Sequence, residues 1–149
     1  MHYRKGFTLI EALIVIVIVG VLLSVTVPRY GVMTSAMGVR SANQTIGAML
    51  AQGRATAIRT GRTVLFVRSA NLVSLLTTDG TTPVTIAQQD LGSQFGVTVS
   101  ATKDTVSYDP RGLVAGNSMT LKFVVTDGIT RDSVCVMALG KVSLTGCSL

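Results

Sequence analysis

The 149 residues carry 13 basic and 7 acidic side chains, a formal net charge of +6, and are 48% hydrophobic but only 13% charged. This length suits one domain plus an anchor and does not favour two domains. The small positive excess points only weakly to anionic partners and does not single out DNA.

The first element is apolar. Residues 7–27 read FTLIEALIVIVIVGVLLSVTV, 21 residues with one charge, Glu11. As a helix this stretch would span about 31 Å, roughly the thickness of a bilayer core. Arg4 and Lys5 precede it, which places the amino terminus in the cytoplasm and the bulk of the chain outside. An ordinary secretory signal should have a shorter apolar run closed by a small-x-small site. Here the run is longer and closes on Ser24-Val25-Thr26-Val27-Pro28. A plain anchor fits the length but gives no reason for Glu11, because a carboxylate within a membrane helix is costly and needs a partner.

Lys5-Gly6-Phe7-Thr8-Leu9-Ile10-Glu11 resembles the class III signal of type IV pilins and type II secretion pseudopilins. The resemblance implies that prepilin peptidase cuts between Gly6 and Phe7 and methylates the new amine of Phe7. It implies that Glu11 then pairs with the amino-terminal amine of a neighbouring subunit during assembly. Two opposite charges in a low-dielectric bundle satisfy each other, and neither is stable there alone. Pro28 falls where that family carries a helix-kinking proline. Removal of residues 1–6 takes away Arg4 and Lys5, leaving 11 basic against 7 acidic side chains, or +4.

From Arg29 to about Thr60 the pattern is helical and amphipathic. Val39, Ile46, Leu50 and Ala57 follow four- and seven-residue steps, with Met37 and Met49 nearby, while Arg40, Gln44, Arg54 and Arg59 take other faces. One long helix from Thr8 to Thr60 is expected, ended by Gly61. Gly31, Gly38, Gly47 and Gly53 together with Pro28 should soften it, since each interior glycine costs about 1 kcal/mol relative to alanine.

Beyond Gly61 the residues are rich in Thr, Ser, Val and Gly, the composition of a small β domain. Thr63–Arg68 and Leu72–Thr77 read as a hairpin around Ser69-Ala70-Asn71. Asp79-Gly80 and Pro83 mark a turn. Val84–Ala87, Phe95–Ala101 and Thr105–Tyr108 are further strands, and Asp109-Pro110-Arg111-Gly112 is a turn. Met119–Thr126, Ser133–Ala138 and Val142–Thr145 complete the set. Arg54-Ala55-Thr56-Ala57-Ile58 with Val64-Leu65-Phe66, the Tyr108–Gly112 segment, and Cys135-Val136 with Gly140-Lys141-Val142 resemble the domain shared by the H pseudopilin of type II secretion and the FimT minor pilins.

Two cysteines, Cys135 and Cys147, follow the apolar segment. An even count outside the membrane suggests an oxidising compartment and one disulfide. The register that would set them opposite each other is not readable from sequence. Catalysis is not expected. The one histidine, His2, lies in the leader, so the trimmed chain has no Ser-His-Asp or Cys-His set. HExxH and Walker A motifs are missing. Two cysteines lack the further ligands of a zinc site, and Asp104, Asp109, Asp127 and Asp132 read as solvated turn residues rather than a calcium site. No metal or cofactor is expected.

Some FimT-type pilins bind DNA through a Gly-Arg-x-Arg motif near the carboxyl terminus. The corresponding segment here is Gly140-Lys141-Val142-Ser143, which keeps one basic residue. Arg131, Lys122 and Arg111 would join Lys141 only if they share a face, because phosphate binding needs several cations acting together.

The resemblance therefore implies an α+β pilin fold: a leader (1–6), a transmembrane and filament-core helix (7–28), its amphipathic continuation (29–60), and a β-rich domain (61–149). It implies a minor pilin or pseudopilin of a type IV pilus or type II secretion pseudopilus. Such a subunit is held single-pass in the inner membrane with its globular domain in the periplasm, then moves into a periplasmic or surface filament. Its partners are prepilin peptidase, other pilins or pseudopilins, and the inner-membrane assembly platform. A DNA-binding pilin and a major shaft pilin are the rival readings.

Overall fold

The computed structural model describes residues 8–78, 82–116, 120–144 and 147, and of residues 25–33 only the backbone. The leader, the Gly6–Phe7 junction, the side chain of Pro28 and the Asp79-Gly80 turn lie outside the described residues. Two compact units divide at Thr34 and Ser35.

A single helix, α1 (Leu9–Thr60), begins in the first unit. Thr8 caps it: its hydroxyl accepts from the Glu11 amide at 3.3 Å, and its carbonyl accepts from Glu11 and Ala12 at 3.1 and 3.3 Å. Thr8 at the cap and Glu11 three residues on have the spacing of a capping box, in which the first amides of a helix find side-chain acceptors. Large aliphatic side chains from Leu9 to Leu23 are exposed on every side of the helix. Among the described residues no helix is long and apolar enough to cross a membrane.

In the second unit α1 presents Val39, Ala42, Ile46, Met49, Leu50 and Ala57 to the core, the three- and four-residue spacing of one helical face. Met37, noted near this face in the sequence, is 60% exposed; it lies two residues before Val39, about 200° round the helix. The helix stops at Gly61, whose φ of 64° lies in the left-handed region that glycine enters without steric cost.

Gly38 and Gly53 of α1 are contact positions. A Cβ on Gly38 would stand 2.8 Å from the backbone oxygen of Phe95, and one on Gly53 would stand 2.9 Å from Leu75 Cδ2. The β domain therefore packs directly on the helix backbone at these positions.

Among the described residues eight strands form two antiparallel sheets. The first takes the order β3-β2-β1-β5, from β1 (Val64–Ser69), β2 (Leu72–Thr78), β3 (Pro83–Asp90) and β5 (Thr105–Tyr108). The second takes the order β4-β6-β7-β8, from β4 (Thr98–Ala101), β6 (Leu121–Thr126), β7 (Arg131–Val136) and β8 (Val142–Ser143). Alternation sends Val64 and Phe66, Val73 and Leu75, and Val106 and Tyr108 inward from the first sheet, and Leu121, Phe123, Val125, Val134 and Val136 inward from the second. Phe66 and Phe123 meet edge to face, with centroids 5.3 Å apart and planes at 77°. Truncating either would cost about 3–5 kcal/mol.

The sheets are also tied by polar groups. Arg68 donates to the carbonyls of Ala70 and Val99 at 2.9 Å each and pairs with Asp104. Asn71 Oδ1 accepts from the Val99 amide at 3.0 Å.

Some elements differ from the sequence reading. The segment expected as a strand from Phe95 to Ala101 starts instead with a helix, α2 (Leu91–Phe95), and the strand follows only at Thr98. Asp90 caps α2, accepting from the Gly92 and Ser93 amides at 2.9 and 3.1 Å, and Gly96 ends it at φ 66°. β3 runs on to Asp90, past the expected end at Ala87, because its pairing with β2 continues to Asp90 opposite Leu72. β7 begins at Arg131 and ends at Val136, two residues earlier than expected at each end. Pairing with β6 sets these limits, with Thr126 opposite Arg131 and Leu121 opposite Val136.

Candidate functional site

The amino-terminal helix combines a capped start, a carboxylate at Glu11 and an apolar surface on all sides. A helix of that kind is stable only inside lipid or inside other protein. Glu11 is exposed and sits among Leu9, Ile10, Leu13 and Ile14. Within one subunit the capping box accounts for its backbone amide. In an apolar surrounding its carboxylate still requires a positive partner.

On the domain, Cys135 and Cys147 are joined, with Cα atoms 5.6 Å apart. Cys135 is buried and lies opposite Ser143 in the β7–β8 pairing, so the bond ties the last hairpin to the segment that follows it.

The four basic residues considered for DNA sit on four different segments of the chain. Arg111 bonds to Asp109 of its own turn at 3.0 Å. Lys141 lies beside α1 in a shallow groove lined also by Arg54 and Ile58. These two share one end of the domain, because the Gly112 carbonyl lies against Gly140. Lys122 is opposite Cys135, in the middle of the second sheet. Arg131 is opposite Thr126, four residues or about 13 Å further along β7. Gly140 itself has a structural reason: its φ is 74°, and a Cβ there would meet the Gly112 carbonyl and Arg54.

The four aspartates act separately. Asp104 pairs with Arg68. Asp109 accepts from the Arg111 and Leu113 amides at 2.9 Å each, and those bonds hold its carboxyl below the usual carboxylate range, with the Leu113 bond the largest cause. Asp127 is lowered likewise by the amides of Thr130 and Ile129 in the β6–β7 turn, and it also accepts from Ser35. Asp132 Oδ2 accepts from Asn43 at 2.8 Å. Tyr108 is packed inside, its hydroxyl buried with no hydrogen-bond partner among the described residues, and burial pushes it up to about 12.

A long amino-terminal helix packed on antiparallel sheets, with its leading turns apolar and exposed, defines the pilin-like class of filament subunits. The comparisons agree. Residues 1–27 match the prokaryotic N-terminal methylation motif, and residues 42–140 match the type II transport protein GspH model. The chain belongs to the GspH family, whose members are structural subunits of the minor pilin and pseudopilin kind. Two crystal forms of the type IV minor pilin FimU from Pseudomonas aeruginosa share the fold. One aligns with a TM-score of 0.62 at 15% identity over 72% of this chain and 88% of FimU. The other aligns with a TM-score of 0.59 at 14% identity over 71% and 91%. No curated protein matches the chain.

Sequence reasoning missed two features here. The Thr8–Glu11 capping box was legible as a Thr-x-x-Glu spacing. The association of Arg40, Asn43, Arg131 and Asp132 around one cleft was not, because about ninety residues separate its two sides.

Proposed function

We propose that this chain is a minor subunit of a type IV pilus or type II secretion pseudopilus. Prepilin peptidase trims it after Gly6 and methylates Phe7. It waits in the inner membrane with its amino terminus cytoplasmic and its β domain periplasmic, and then enters a filament through α1. Glu11 pairs with the amine of a neighbouring subunit, and Pro28 relaxes the helix between its two halves. The observation that carries this reading is the capped, all-round apolar start of α1 with one carboxylate three residues from its cap. Lipid can cover the aliphatic surface, but a filament covers it and also supplies the positive charge.

Glu11→Gln separates the two roles of this residue. Glutamine serves the capping box as well as glutamate does, but it cannot form the ion pair. The variant should be processed at Gly6 and accumulate in the membrane while its entry into sheared filaments falls by about tenfold or more. Wild-type incorporation of Glu11→Gln would show that only the cap matters and would remove the charge role.

A further inference from the structure

Ser35, the first residue of the second unit, donates its hydroxyl proton to the Asp127 carboxylate of the β6–β7 turn. That turn, Asp127-Gly128-Ile129-Thr130, is held from within. Asp127 Oδ1 accepts from the Ile129 and Thr130 amides at 2.9 and 2.6 Å. Thr126 Oγ1 accepts from the Gly128 amide at 3.1 Å and donates to the Thr130 carbonyl at 2.9 Å. Gly128 takes a φ of 94°, where most side chains are not tolerated. These bonds use the polar groups of the turn and leave its one large apolar side chain outside. Ile129 is 77% exposed, and among the described large apolar residues only Leu9 is more so.

A single exposed aliphatic side chain needs no explanation by itself. Place and company set Ile129 apart. Ser35 follows Val27, the last residue of the apolar segment, by eight positions. Eight residues reach about 28 Å at full extension, and Asp127 is bonded to Ser35, so the turn is tethered close to the end of that segment. In the membrane-held state proposed above, that end is the bilayer surface. Arg131 is exposed and begins β7 two residues after Ile129. An apolar tip beside a cation suits the boundary of acyl chains and headgroups, where apolar burial and attraction to lipid phosphates add. The one carboxylate of the turn is occupied by two amides and Ser35. A turn already fixed by its own bonds loses little freedom when its tip is inserted.

We infer that the β6–β7 turn is a lipid contact of the β domain: before assembly Ile129 enters the periplasmic face of the inner membrane and Arg131 meets its phosphates. The inference rests on the membrane-held state in the reading above. It gives the domain a preferred orientation on the bilayer, one that entry into a filament must release.

The chain contains no tryptophan, so a single introduced one reports its own surroundings. The test uses the full chain, one copy per nanodisc of phosphatidylethanolamine and phosphatidylglycerol, with and without bromine on the acyl chains. Emission of Ile129→Trp should fall by about twofold or more with brominated lipid. Leu139→Trp is the control. Leu139 is 71% exposed and precedes Gly140, which lies against Arg54; in α1 Arg54 is about 28 Å from Ser35. Its emission should not change. Val17→Trp, on the apolar segment, should be quenched strongly. Both turn residues are exposed, and retention of the Cys135–Cys147 bond reports that each variant still folds. Quenching at Val17→Trp with none at Ile129→Trp, or equal quenching at Ile129→Trp and Leu139→Trp, would overturn the lipid contact and leave the membrane-held state intact. No quenching at Val17→Trp would overturn the membrane-held state and the contact with it. Arg131→Glu should weaken the quenching at Ile129→Trp; unchanged quenching would overturn the part given to Arg131.

Discussion

Gly38→Ala and Gly47→Ala form a matched pair on α1. Both gain the same helix propensity, about 1 kcal/mol, and neither glycine has a positive φ that a side chain would resist. They differ in what the new methyl meets. At Gly38 it faces the backbone oxygen of Phe95 at 2.8 Å, where α2 ends. That oxygen moves only if α2 moves, and overpacking of this kind costs about 1–3 kcal/mol. At Gly47 it meets the end of the Leu144 side chain, which is 42% exposed and free to rotate away. Gly47→Ala should therefore be neutral or stabilising by up to about 1 kcal/mol, and Gly38→Ala should be the less stable of the two by about 1–3 kcal/mol. Thermal unfolding of the full chain in detergent, followed by circular dichroism of the β domain, reads this as a gap of several degrees. At about 4 °C per kcal/mol the expected difference is about 4–12 °C. Equal midpoints, or a higher midpoint for Gly38→Ala, would refute the claim that the domain packs on the helix backbone there.

Two further predictions concern the domain. Tyr108 keeps its proton in the folded state up to about 12, while in the unfolded chain it loses the proton near 10. The folded state thus binds more protons in that interval, so stability is fully present below about 10, declines as pH rises above it, and is lost through about 12. Tyr108→Phe should remove that part of the alkaline decline. It should be no less stable at neutral pH, since the buried hydroxyl has no hydrogen-bond partner among the described residues; alkaline unfolding of the two chains compared side by side checks both points. Cys147→Ser opens a loop with a sequence separation of 12 and should destabilise the domain by about 3 kcal/mol, measured as a lower denaturant midpoint that matches the reduced wild-type chain.

Much of the fold was legible because its signals are local or strongly periodic. Gly61 marked the end of α1, and Ala70-Asn71 between two apolar runs marked the first hairpin, where Ser69 and Leu72 pair. β5 was read with its observed limits, helped by the Asp109-Pro110 turn that follows it. α2 was missed because five residues are too few to show a helical period. Its evidence lay in the cap residues Asp90 and Gly96, which flank a stretch whose apolar members suit a strand equally well. The shifted ends of β7 come from pairing with β6, which no local pattern encodes. The close approach of Phe95 to Gly38 was hidden for the same reason, since the two lie far apart along the chain. Gly6, Phe7 and Glu11 were legible as a short stretch within the methylation motif that residues 1–27 match. The cleft around Asn43 was not, since it exists only once α1 and β7 are packed together.

The central claim is that this chain is processed at Gly6 and becomes part of a filament. Mass spectrometry of sheared, purified filaments tests it directly by searching for the peptide that begins at Phe7. The account predicts an N-methylated Phe7 terminus at a copy number far below that of the shaft subunit. A chain found only in the membrane fraction with residues 1–6 still attached would contradict it.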